Sequence, residues 1–131
     1  MRYMLLIYTN EHAHQTAEQA QQVMEGHHRA MDLATGKGFL RGAEPLVATS
    51  SATTLRVQDG RTLITDGPFA ETKEQLAGYY LLECDDLDDA IEIARQIPTA
   101  CGGGAGCVEI RPIRVIPARQ DAADGSSVAH A

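Results

Sequence analysis

The side chains best suited to moving a proton in this chain are two histidines and an aspartate. His27 and His28 lie in a stretch dense in Ala, Gln, Glu and Met, and Asp66 stands directly before Gly67-Pro68. Imidazole titrates nearest neutrality of all side chains, so modest changes in its surroundings decide its charge. A carboxylate beside one ring nitrogen orients and charges the imidazole, which then moves a proton on a bound small molecule. Each residue also has a plainer use. An Asp that opens a turn accepts hydrogen bonds from the turn's own N–H groups, and Gly67 and Pro68 restrict such a turn. A histidine aimed inward from a helix can be a core residue satisfied by one hydrogen bond. Lys73, in the charged run of Glu71, Lys73 and Glu74, can pair with Asp66 or an anionic ligand, or belong to a solvated surface.

Other chemistry is less well supported by spacing. His12-x-His14 sits in a polar loop, and His27 and His28 point about 100° apart on a helix, so neither pair converges on one ion. No metal and no cofactor is expected. The glycine run from Cys101 to Cys107 lacks the Gly-Lys-Ser/Thr of a phosphate loop and leads into a strand, which makes it a flexible connection. Cys101 has no evident base near it in sequence. Arg111 and Arg114 can reach a cleft from the last strand, although Pro112 breaks the alternation between them.

Composition narrows the class of partner. A net charge of -7, no tryptophan and 5% aromatic residues argue against direct nucleic-acid binding, since neither phosphate neutralisation nor base stacking is provided for. The apolar run at residues 3–8 is too short for a signal-peptide core or a membrane span. Three cysteines without a CxxC pair suit a reducing, cytoplasmic setting.

The elements that must position these residues read as one α+β unit. Residues 1–9 form a continuous apolar run, expected as a central strand covered on both faces. Residues 16–37 predict an amphipathic helix with Ala20, Val23, His27, Ala30, Met31 and Ala34 on its buried stripe, stopped by Gly36 and Gly38. Residues 39–47 are extended but irregular or at an edge, because of Gly42 and Pro45. Residues 53–58 and 61–65 flank Asp59-Gly60, a hairpin turn with both residues at positive φ. A strand follows at 78–84, then a helix at 85–98 with Asp85 or Asp86 as cap and Leu87, Ala90, Ile91 and Ala94 buried. The last strand is expected at 108–116, and 117–131 as a disordered tail. This order gives an α+β, ferredoxin-like split βαβ fold with an inserted β-hairpin.

Beyond its parts, the phrase DGPFAETKEQLAG resembles the signature of the DGPF domain family, a branch of the YCII-related proteins. MRYMLLIYTNE, GFLRGAEPL, TTLRVQDGR and VEIRPI are similar to the family in the same order, over residues 1–116 as a single domain. The resemblance implies a dimeric α+β barrel type of assembly, so a homodimer, with a cleft near the interface for a small-molecule ligand. It also implies a His-Asp pair, with Asp66 at the carboxylate position and His27 or His28 at the other, and places Gly67, Pro68 and Lys73 beside them. Two readings stay open: a small enzyme doing acid–base chemistry, as in relatives implicated in dehydrochlorination of hydroxylated rings, or a noncatalytic accessory dimer associated with alternative sigma factors.

Overall fold

The computed structural model describes residues 1–99 and 106–119. The chain runs β1 (Arg2–Thr9), α1 (Ala17–Gly36), β2 (Leu40–Pro45), β3 (Thr53–Gln58), β4 (Arg61–Asp66), β5 (Gln75–Glu83), α2 (Leu87–Ala94) and β6 (Gly106–Pro112). Four strands form one antiparallel sheet in the order β2-β5-β1-β6. β5 inserts between β1 and β2, and β1 inserts between β5 and β6, so two βαβ units interleave. That is the ferredoxin-like α+β arrangement.

Local chemistry sets the ends of α1. Thr16 caps its start: its hydroxyl accepts from the Gln19 N–H at 3.1 Å, and the Gln19 side chain accepts from the Thr16 N–H at 2.9 Å. Gly38, at φ 76°, turns the chain out of the helix, and the Phe39 N–H then bonds the Ala34 carbonyl at 2.8 Å. Tyr3, Leu5 and Ile7 of β1 and Tyr80 and Leu82 of β5 meet Ala30 and Ala34 of α1 and Ala90 and Ile93 of α2 in the core. Burying a side chain such as Leu5, Leu82 or Ile93, which are fully enclosed, stabilises by about 1.5–3 kcal/mol each. Alanines on the helix stripes let both helices lie close to the sheet.

Several boundaries differ from the sequence expectation. α2 ends at Ala94, short of Pro98, because the Gln96 and Ile97 N–H groups turn back to the carbonyls three residues earlier, at Ile93 and Ala94. Pro98 itself disfavours helix at the residue before it. Leu87 is exposed and not part of the buried stripe, which starts a turn later at Ala90 and continues to Ile93 and Ile97. Ala20 is likewise exposed; buried α1 positions begin at Gly26, which abuts Pro98. β5 begins three residues before the expected Gly78, and β6 runs from Gly106 to Pro112, short of the expected Ile116, with the Ile113 N–H making one further bond to the Arg2 carbonyl at 2.8 Å. Residues 117–119 are exposed without regular structure; the glycine run of Cys101–Ala105 and the tail from 120 onward lie outside the described residues.

β1 is central, yet both helices pack on one face of it. Its other face carries Met4, Leu6 and Tyr8, with Leu81 opposite Met4 and Tyr79 opposite Leu6, all partly exposed. An antiparallel sheet facing water normally alternates apolar with polar; here the centre of the open face is apolar, flanked by Glu109 and Arg111 of β6 and Glu44 of β2.

β3 and β4 form a separate two-stranded sheet. Asp59 (φ 51°) and Gly60 (φ 74°) make the expected tight turn. At the base, the Gly67 N–H bonds the Ala52 carbonyl at 2.6 Å and the Thr54 hydroxyl donates to the Gly67 carbonyl at 2.8 Å. Directly opposed residues share a face, so Leu55, Ile64 and Val57 lie together, with Thr53 and Asp66 at the base. Leu55, Val57 and Ile64 are each more than 60% exposed.

Candidate functional site

Of the two adjacent histidines, α1 turns His27 toward the sheet and leaves His28 exposed. The His27 Nδ1 lies 2.9 Å from the Tyr80 hydroxyl, which is also 3.3 Å from the backbone carbonyl oxygen of His27. Tyr80 is buried on the helix-covered face of β5, its ring tilted 43° to the imidazole. Burial pulls the His27 pKa below its ordinary value, and the neighbouring His28 adds to this. The same burial pushes the Tyr80 phenol up to about 12. The pair is therefore a neutral imidazole against a neutral phenol at ordinary pH.

Asp66 ends β4 and is exposed, opposite Thr53. Gly67 follows at φ 98°, a conformation open to glycine, and Gly67 and Pro68 are partly buried. Lys73 is exposed. Among the described residues, no hydrogen bond or ion pair within one chain joins Asp66 to His27, His28 or Lys73; the ion pairs present are Lys37 with Glu92 and His12 with Glu11. The structure thus brings Gly67 and Pro68 to Asp66 along the chain, and brings Tyr80 to His27 through the fold. Tyr80 carried no sequence signal beyond a strand position; its partner is 53 residues away.

A second polar cluster lies just past the C-terminal end of β1. The Glu11 carboxylate accepts from the Thr49 N–H at 3.1 Å and from the Thr49 hydroxyl, which holds its pKa below the carboxylate norm. The buried Gln75 side chain accepts from the Glu11 N–H at 2.9 Å and donates to the Thr72 carbonyl at 2.6 Å. Cys107 sits near Glu74; desolvation first, and then that carboxylate, raise its pKa, the opposite of what a nucleophile needs. His12 and His14 are exposed, and among the described residues no three His, Cys, Asp or Glu side chains gather to hold a metal ion. Arg114 lines a cleft of about 590 Å³ with Arg2 and Glu83, apart from the histidines, while Arg111 is exposed on β6. No described helix is long and apolar enough to cross a membrane.

The sequence is 38% identical over 115 residues to an uncharacterized protein of Rhizobium meliloti (strain 1021), covering 86% of this chain and 92% of that protein. The YCII-related domain family matches residues 1–117, nearly all of the described fold, and the chain belongs to that family.

Proposed function

We propose that this protein is a homodimer that binds a small polar or aromatic molecule and moves a proton through His27, with Asp66 supplied across the dimer as the carboxylate that stabilises the imidazolium once the proton is taken. The observation that carries this reading is the placement of His27: half-buried and fixed through one nitrogen by Tyr80 at 2.9 Å, with burial drawing its pKa below the ordinary value. A titratable group perturbed by burial and held by a specific partner is a typical acid–base participant. Two apolar surfaces support the dimer. One is the sheet face of Met4, Leu6, Tyr79 and Leu81; the other is the hairpin face of Leu55, Val57 and Ile64. Asp66 lies on that hairpin face, so covering it brings the carboxylate against a second copy. Gly67, Pro68 and Lys73 follow in the same segment and line the ligand site with it.

The test uses small phenols and enolisable carbonyl compounds in heavy water, with proton exchange followed by NMR. His27→Gln and Asp66→Asn each abolish exchange, and mixing the two variants restores it, because one site of each mixed dimer keeps both residues. Exchange unaffected by His27→Gln overturns the base role. Loss in both variants without recovery on mixing overturns the placement across the dimer.

The exposure of Asp66, unjoined to imidazole within one chain, favours the second reading, a noncatalytic ligand-binding or accessory dimer. Its signature is saturable binding of a compound from the same set without any proton exchange.

A further inference from the structure

The Tyr80 hydroxyl has one proton and two neighbours, both belonging to His27: Nδ1 at 2.9 Å and the backbone carbonyl oxygen at 3.3 Å. A carbonyl oxygen only accepts, and its two lone pairs leave room for this hydroxyl beside the helix hydrogen bond. If the phenol proton goes to the carbonyl, the phenol oxygen is free to accept from Nδ1–H, and both contacts are hydrogen bonds. If it goes to Nδ1 instead, two oxygens face each other in the interior with no proton between them. Buried polar contacts of that kind are avoided. Tyr80 is 3% exposed, so water does not offer either oxygen an easy substitute.

We infer that Tyr80 is a positioning residue that holds the neutral His27 ring as its Nδ1–H tautomer and leaves Nε2 as the bare nitrogen that takes the proton. This is the reverse of the tautomer that an imidazole free in water prefers. Tyr80 keeps its proton for the purpose because burial pushes its pKa to about 12. The inference rests on the proposed role of His27 as a base. It also sets the chemistry of the ligand: a neutral proton donor, phenol or enolisable carbonyl, must approach Nε2 and not Nδ1.

Long-range proton–nitrogen NMR correlations distinguish the protonated from the bare ring nitrogen without any substrate. The chain has five histidines, and the His27 signals are those lost in His27→Gln. In the wild-type protein above neutral pH, Nδ1 is expected to be protonated and Nε2 bare. In Tyr80→Phe, which removes only the hydroxyl, the ring is expected to return to Nε2–H. A wild-type His27 with Nε2 protonated, or a tautomer unchanged in Tyr80→Phe, overturns the assignment. The wild-type spectrum decides by itself if Tyr80→Phe fails to fold. A protein with the Nδ1–H tautomer but no proton exchange loses the base role and keeps the Tyr80 assignment, so the two failures are told apart.

Discussion

Gly78 of β5 lies so close to Glu44 of β2 that a Cβ on Gly78 would stand 2.7 Å from the Glu44 carbonyl oxygen and 3.1 Å from the Pro45 Cα. Both neighbours are backbone, and neither can swing aside as a side chain can. Gly78→Ala is expected to push β2 off the sheet edge and to cost about 1–3 kcal/mol in urea unfolding. Gly42→Ala is the control, because its Cβ would meet only the Leu81 Cβ, at 3.8 Å. Its cost is expected to fall below that of Gly78→Ala.

The uncovered sheet face predicts assembly. Light scattering is expected to give twice the chain mass at micromolar concentration. Leu6→Lys, which puts a charge on this face between Tyr79 and Glu109, is expected to weaken association at least about tenfold, the loss typical of a buried apolar contact. A monomeric wild-type protein, or a Leu6→Lys dimer of unchanged affinity, would refute this.

His27 makes stability pH-dependent in a defined direction. Its folded-state pKa lies below the ordinary 6.5, so the unfolded chain binds a proton here more readily than the folded one. Stability is therefore lost as pH falls through about 6.5, and the loss is complete once pH is below the folded value. His27→Gln removes this component. Urea titrations over this range should show the wild type losing its advantage over the variant on acidification.

Glu11 acts at lower pH. The Thr49 hydroxyl holds its pKa below the ordinary 4.5, so this contribution is present above 4.5 and disappears as pH falls through the folded value. Thr49→Val removes the hydroxyl and keeps the N–H. The stability difference between wild type and Thr49→Val is expected to be full at neutral pH and to shrink on acidification. A difference constant with pH would mean that the carboxylate is held by something else.

What could be read from the sequence was what neighbours along the chain decide. Gly38 and Asp59-Gly60 act within a few residues, and the end of α1 and the hairpin turn fall where those residues require. The apolar alternation that fails in β1 also identified the central strand. The end of α2 depended on backbone bonds at Gln96 and Ile97 that a helix pattern does not encode. His27 was visible as a chemical group, but its partner was not. A tyrosine in a strand reads as core, and only the interleaving of the two βαβ units sets Tyr80 under α1. Asp66 was visible as a turn carboxylate, while its exposure depends on how the hairpin leaves the main sheet.

The hairpin has a kinetic consequence. Opening β3 from β4 uncovers little apolar surface within a single chain, since both strands already face water. Its amides are therefore free to exchange with solvent through local opening, long before the helix-covered core gives way. A second copy seated on Leu55 and Ile64 would slow that exchange selectively. The amides of β3 and β4 thus serve as a built-in clock for how often this face is occupied.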